Sequence, residues 1–327
     1  MALSVRRQDL ESLRGEWQDL LARVPEPHVF HRPLWQELWL EHFGDGREPF
    51  FLAARDGQHL VGVAPLMREG SRLALVGDHE ICDYMDFLVE PGRVGEFFPA
   101  LLRSLGEEPW EEIDLRGLAA YSPALAALSG AAEALGWRVE RELEAVAPHV
   151  ELPASWEQYM ERLGKKDRHE LRRKMRRLGQ GGTRVELRDL RSRQEVASGM
   201  EDFLRLHTAS RSDKAEFMSP QMEQFFRGMA AALADEGLIR LFMMDLDGRP
   251  AASVLCFDCC PQLHLYNSGF DPELSSLSVG LLSKVLCLEV AIKEGKDCLD
   301  FLRGSEPYKY DLGARDLPIY RCLVRRG

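Results

Sequence analysis

HLYNSGFDPELSSLSVGLLSKVLCLEVAIKEGKDCLDFLRGSEPYKYDLG, residues 264–313, is the stretch whose reading decides the fold. From Gln262 to Phe270 the chain alternates Leu263 and Leu265 against polar partners, as a half-buried strand does, with His264 on the polar side; Asp271-Pro272 stops it. A helix follows. Leu281, Val285, Leu288 and Ile292 recur at helical spacing, Ser278 is placed to cap, Gly280 falls in the first turn, and Gly295 stands where a left-handed C-terminal residue is wanted. That helix is apolar nearly all round, which predicts burial. Cys298 to Leu302 then reads as a short strand feeding a polar loop, Arg303 to Gly313.

Strand, helix and strand make a βαβ unit. The free N–H groups of the helix's first turn and its dipole both favour negative charge, a setting that suits a pyrophosphate. SGFDPE (268–273), LSVGLL (277–282) and DFLRGSEPYK (300–309) together resemble the CelD/BioF-like branch of the GNAT acyltransferase superfamily, related to the FemAB peptidoglycan aminoacyltransferases. The resemblance covers roughly residues 155–325. It implies acyl-CoA, acetyl-CoA included, as co-substrate, with its pyrophosphate at Ser278, Val279, Gly280 and Leu281 and with Tyr266 and Ser268 on the adjoining strand. Of the usual Q/R-x-x-G-x-G/A signature, Ser275 to Gly280 supplies a single glycine, with serines elsewhere.

Working outward, the block before residue 150 repeats this order. PFFLAARDGQHLVGVAPLM is two apolar runs joined through Asp56-Gly57, a hairpin signal that recurs at Asp247-Gly248 within Leu238 to Phe257. RLALVGDHEICDYMDF (72–87) stands opposite the strand at 262–270, a helix follows at 92–105, and Glu112 to Gly117 answers Leu299 to Gly304. The expected class is therefore α/β (α+β): two tandem GNAT-like lobes, with mixed sheets flanked by helices, spanning 1–150 and 183–327 and joined by a basic helix within 151–182. Upstream of the first hairpin, Val5 to Ala22 reads as a helix, and Trp35, Leu38, Trp39 and Phe43 share a helical face in the next segment. The first lobe's helix start, Glu90 to Gly95, has Glu90 and Glu96 beside it to repel phosphate. That lobe is assigned to the acceptor substrate, through Asp83, Tyr84 and Asp86.

Ser155 with Gln158 predicts one helix from Trp156 to about Leu178, ended by Gly179, Gly181 and Gly182. From Arg162 to Arg177 it carries nine Lys/Arg against Asp167 and Glu170, a balance of +7 in a chain whose formal charge is −11. It is either a solvated face or an electrostatic guide for phosphates of CoA, of a nucleotide-linked acceptor or of tRNA; the resemblance favours the guide. Beyond it, 183–187 reads as a strand and Ser219-Pro220 opens a helix to Ala234. His207 and Arg211 share a face at i, i+4, before a loop at Ser212 to Met218, where they would meet an anionic substrate.

Overall composition is that of a globular protein of one large or two smaller domains, and the acidic balance argues against a surface wholly committed to nucleic acid. The opening residues lack an apolar signal core and no uncharged apolar run reaches membrane-span length, so a cytoplasmic protein with no membrane span is expected. The seven cysteines read as buried free thiols: Cys256 and Cys259 have metal-like spacing without a second Cys/His pair, so no metal is expected. Phosphate-loop and nucleophile-elbow motifs are absent, which removes kinase and hydrolase readings.

Acyl transfer from a thioester to an amine needs a free-base acceptor, help for the developing oxyanion and a proton for the leaving thiolate. In the loop where FemAB-like enzymes carry a lysine, Lys309 is assigned to the acyl carbonyl, Tyr308 to the acid, and Asp300 either to the acceptor proton or to a pair with Arg303, a further substrate contact. The function expected is N-acyl transfer from acyl-CoA to an amino group of a sugar, cell-envelope precursor or other metabolite. The alternatives are a FemAB-like aminoacyltransferase, which would bind tRNA through the basic helix, and a non-catalytic GNAT-like binding protein.

Overall fold

The computed structural model describes residues 3–25, 27–180, 182–259 and 261–327; Gly181 and Cys260 lie outside the described residues. The chain packs as two compact units, 1–146 with 317–327, and 147–316. The first contains β1 (Ser4–Arg7), α1 (Leu10–Leu21), α2 (Pro33–Phe43), β2 (Glu48–Asp56), β3 (His59–Glu69), β4 (Arg72–Leu75), β5 (Leu88–Val89), α3 (Val94–Gly106), β6 (Glu112–Ala119) and α4 (Pro123–Glu133). The unit boundary falls inside β7 (Arg138–Glu151). The second holds α5 (Trp156–Arg162), α6 (Lys165–Leu178), β8 (Val185–Leu190), α7 (Arg193–Ser210), α8 (Ser212–Phe217), α9 (Pro220–Asp235), β9 (Ile239–Leu246), β10 (Arg249–Cys259), β11 (Gln262–Phe270), α10 (Val279–Lys293), β12 (Cys298–Asp300) and α11 (Pro307–Asp311). The last strand, β13 (Arg315–Arg325), pairs with β6.

The internal repeat is real at the level of strand order. In the first unit the order is β1-β2-β3-β4-β6-β13, and in the second β8-β9-β10-β11-β12-β7. Each is antiparallel except for one parallel pair, β4 with β6 and β11 with β12. Each unit closes with a strand antiparallel to that pair: β13 in the first, the 149–151 end of β7 in the second. Both hairpin turns follow the Asp-Gly signal. Asp247 and Gly248 have φ of 51° and 78°, the two positive values that a tight hairpin between right-twisted strands needs.

Helix starts obey their caps. Ser192 and Glu195 form a reciprocal capping box on α7, and Ser219 caps α9 ahead of Pro220. On the inner side of the second unit, Val279, Leu282, Val285, Leu288 and Ile292 of α10 bury with Val254, Cys256, Leu263 and Leu265 of the sheet. Each such side chain contributes about 1.5–3 kcal/mol on leaving water. Among the described residues no helix is long and apolar enough to cross a membrane.

Several local expectations give way to packing. Ser4 to Arg7 is a strand paired with β2, because Asp9 caps the following helix by accepting from the Ser12 N–H and fixes its start. The basic helix is broken. Leu163 is extended with its side chain buried, Gly164 restarts the chain as the cap of α6, and α6 belongs to the second unit. Residues 212–217 and 307–311 are short helices where loops are expected. His264 is buried, 1% exposed, with its Nε2 against the Gln262 side chain. α4 and β7 have no counterpart in the sequence reading.

Candidate functional site

The parallel pairing of β11 with β12 is confined to Gln262–His264 against Cys298–Asp300. Beyond it β11 runs on to Phe270 with only β10 beside it, while the other chain turns away at Leu302, whose φ is 54°. A buried carboxylate fixes that turn: Asp300 accepts the Leu302 N–H at 2.7 Å. The two strands thus part above a short ladder, and the groups around the parting form the candidate site.

Lys309 is 1% exposed, and its ammonium donates to the carbonyls of Leu302 (3.0 Å), Arg303 (3.0 Å) and Gly304 (2.8 Å) while pairing with Glu306 at 2.9 Å. Burial pushes the Glu306 carboxyl up, but the Lys309 ammonium outweighs it and holds the carboxyl below its ordinary range. An ammonium with three donors so engaged holds the loop in shape; the sequence reading gave it instead to a substrate carbonyl. Tyr308 is half-buried and meets Phe301 edge-on at 6.0 Å. Burial, then the Glu306 charge, raise its pKa well above the usual phenol value, so it stays protonated.

Two lysines absent from the sequence reading complete the site. Lys284, on α10, is 7% exposed; its Nζ donates to the Gly280 carbonyl at 2.7 Å and lies 5.0 Å from the centre of the Tyr308 ring. Burial, then the neighbouring Lys214 charge, lower its pKa to about 7. Lys214, on α8, donates to the Ser268 carbonyl of β11, and burial, then Arg211, bring its pKa down to about 8. The signal for Lys284 was present in the sequence: a lone lysine inside a helix otherwise apolar on that face. Lys214 and Glu306 gave no such signal.

At the start of α10, Ser278 is left-handed (φ 59°) and caps through its backbone carbonyl, with no side-chain hydrogen bond to the helix, contrary to the capping expected of its hydroxyl. Val279 is buried, and a Cβ on Gly280 would lie 2.7 Å from the Phe270 ring. This glycine therefore serves the close packing of helix on strand. The first turn of α10 contains no acidic residue. Beside it, a cavity of about 150 Å³ is bordered by Leu281, Asp311 and Leu312 and, from α6, by Lys166, Asp167, Glu170, Leu171 and Lys174. Tyr266 stacks with Phe257 (4.5 Å) and Phe226 (5.7 Å).

Asp300, Arg303, Tyr308 and Lys309 are thus gathered in one loop, while the Ser268 carbonyl accepts from Lys214. His207 and Arg211 do not share a face. α7 ends at Ser210; Arg211 is extended, exposed and paired with Asp213, while His207 is buried against Asn267 at 2.9 Å and burial lowers its pKa to about 4. Asp83, Tyr84 and Asp86 belong to the first unit. Tyr84 is buried in a stack on His28 (4.3 Å), and Asp86 accepts from the Ser122 hydroxyl and the Phe87 N–H. Asp83 is half-buried. Among the described residues no group of three His, Cys, Asp or Glu could hold a metal ion, and Cys82, Cys256, Cys287 and Cys322 are free thiols.

Residues 165–310, which span this site, match the family model described as an acetyltransferase (GNAT) domain. The second unit carries a GNAT domain. By that match the second unit is an acyltransferase domain, of a family that generally uses acyl-CoA. The fold of the whole chain is that of FemX (TM-score 0.65, 12% identity, covering 97% of this chain and 96% of that one). It is also similar to a tandem GNAT protein from the clavulanic acid biosynthesis pathway (TM-score 0.50, 14% identity, 98% of each chain) and to L-PGS from Bacillus licheniformis (TM-score 0.53, 11% identity, 90% and 91%). No curated protein sequence matches. These likenesses concern the fold.

Proposed function

We propose that the protein transfers an acyl group from acyl-CoA, acetyl-CoA in the simplest case, to an amino group of a sugar, cell-envelope precursor or other metabolite. The observation that carries this reading is the start of α10: a helix N-terminus free of acidic residues, beside a cavity to which α6 brings Lys166 and Lys174. Backbone N–H groups and the helix dipole suit a pyrophosphate, with Lys166 and Lys174 at a border that Asp167, Glu170 and Asp311 share, and the parting of β11 from β12 suits the thin pantetheine arm that follows it. Ser278, Val279, Gly280 and Leu281 are the donor contacts of this reading, with Tyr308 as proton donor and Lys309 and Asp300 acting through the loop they hold. Arg303 and Arg211 would meet an anionic part of the acceptor.

The test is binding of acetyl-CoA, longer acyl-CoAs and free CoA, followed by thermal shift, to the wild type and to Ser278→Asp. An aspartate at this cap complements the helix dipole, so folding should survive, but it sets a carboxylate where phosphate would lie. CoA affinity should fall at least about tenfold, or about 1.4 kcal/mol. An unchanged affinity removes the pyrophosphate from this helix.

The exposed cations Lys165, Lys166, Arg172, Arg176 and Arg177 of α6 favour a second reading, aminoacyl transfer from charged tRNA. It predicts a salt-sensitive complex of the purified protein with tRNA and no thermal shift with CoA.

A further inference from the structure

The two buried lysines of the second unit have opposite surroundings. Lys309 has three carbonyls and a carboxylate; Lys284 has one carbonyl of its own helix and the face of Tyr308, and among the described residues no carboxylate stands within ion-pair distance of its Nζ. A buried ammonium persists when it is paired and hydrogen-bonded, and otherwise it gives up its proton. Titratable groups face Lys284 from four directions: Lys214 on α8, Cys256 on β10, Cys287 on α10, and Glu306 with Tyr308 in the loop beyond β12. The one carboxylate among them, Glu306, is taken by Lys309.

We propose that Lys284 is the general base of the transfer, receiving the proton of the acceptor's ammonium group. The proposal rests on the reading of the protein as an acyl-CoA-dependent amine acylase and names the residue that makes the amine nucleophilic. Its geometry supports this. Lys284 Nζ lies 5.0 Å from the ring of Tyr308, the proton donor of that reading, and close enough to Lys214, which grips the Ser268 carbonyl of β11, for the two charges to interact. The neutral amine of Lys284 takes one proton from R–NH₃⁺. The freed R–NH₂ forms a C–N bond to the thioester carbonyl carbon, the C–S bond breaks, and the proton left on nitrogen passes to the departing sulfur. Lys284 then returns its proton to water, so that ammonium and thioester become amide, thiol and one released proton.

The experiment uses the full chain with acetyl-CoA and a panel of primary amines, glucosamine first, and follows thiol release from pH 5.5 to 9.5. In the wild type kcat/KM should rise tenfold per pH unit below about 7 and then level off. Lys284→Met should lose on the order of 10²-fold or more and also lose that inflection, while its CoA affinity stays within about threefold of wild type. Lys284→Arg keeps the cation but cannot deprotonate, so it should be equally slow. Lys214→Met removes a like charge and should move the inflection to higher pH.

A Lys284→Met enzyme within threefold of wild type, or one that keeps the inflection, overturns the proposal and leaves the acyl-CoA reading standing. Failure of acetyl-CoA to bind fells that reading first, and the base with it. Competitive labelling of the wild type with acetic anhydride decides the matter without turnover: a Lys284 amine that reacts as an ordinary surface lysine, titrating above about 9.5, overturns the proposal.

Discussion

Two buried charges, one in each unit, have opposite surroundings. In the first, Asp114 on β6 is 1% exposed and is clasped by Arg321 at 2.7 and 3.0 Å and by Arg72, with Arg116 at 3.6 Å. In the second, Lys284 is buried nearly as deeply and, among the described residues, has no carboxylate within ion-pair distance. Both units have the same strand order with one parallel pair, so the contrast does not come from the scaffold. Its source lies in the side chains set beside the pair. Beside the first unit's pair, three arginines surround Asp114; in the second, among the described residues, no carboxylate stands within ion-pair distance of the Lys284 amine. A satisfied charge fixes a structure. An unsatisfied one is free to exchange its proton.

The largest effect should follow from breaking the satisfied charge. Burial pushes the Asp114 carboxyl up, but Arg321 and Arg72 outweigh it and hold it below its ordinary range. Its contribution to stability is therefore present above the usual carboxylate pKa and is lost as pH falls through the lowered folded value. Asp114→Ala leaves two guanidinium groups facing a void and should cost about 3–5 kcal/mol at pH 7 by urea unfolding. A loss under about 1 kcal/mol would mean that the arginines find other partners and that the contrast with Lys284 is one of degree.

Much of this architecture was legible beforehand, for physical reasons that differ by element. The Asp56-Gly57 and Asp247-Gly248 hairpins are local, since positive φ at Gly57 in the one and at both Asp247 and Gly248 in the other sets the turn whatever surrounds it. The repeat was legible because Glu112 to Gly117 and Leu299 to Gly304 carry similar residues in similar order. Ser4 to Arg7 was not, because four residues before a helix become a strand only through β2, more than 40 positions away. The site was half legible. Tyr308, Lys309 and Asp300 do share a loop, yet the cage of carbonyls around Lys309 depends on the left-handed turn at Leu302, which no residue there announces. Lys284 could have been noticed as a charge inside an apolar helix face; that its neighbours are a carbonyl and a ring, and among the described residues no carboxylate, is a fact of three dimensions.

A smaller effect, of opposite sign, is expected from the unsatisfied charge. With its folded pKa lowered to about 7 from 10.5, Lys284 binds fewer protons in the native state than in the unfolded chain between those values. Stability therefore rises with pH across that window, and the lysine's cost is felt in full below it. Lys284→Met keeps the stem's bulk and removes the cost. The variant should be more stable than wild type by on the order of 2 kcal/mol at pH 6, with the gain shrinking toward pH 10. A destabilised variant at pH 6 would show that the ammonium has partners the unit needs, and the contrast with Asp114 would fail.

The smallest effect sharpens the comparison by its sign. Asp86 of the first unit is 8% exposed, and burial raises its carboxyl pKa to about 7, against the hydrogen bonds from Ser122 and Phe87 that favour its anion. Here the native state binds more protons than the unfolded chain between 3.8 and about 7, so stability falls as pH rises through that window, the reverse of the Lys284 slope. Asp86→Asn keeps an oxygen to accept both hydrogen bonds and never ionises. At pH 8 it should gain about 1 kcal/mol over wild type, and at pH 4 nothing, by denaturant unfolding at each pH. The double variant with Lys284→Met should then show a flatter stability curve between pH 5 and 9 than either single one, because one substitution removes a falling slope and the other a rising one. Two substitutions that instead shift the curve in the same direction would place both groups under one common field, and the opposite slopes assigned to Asp86 and Lys284 would have to be given up.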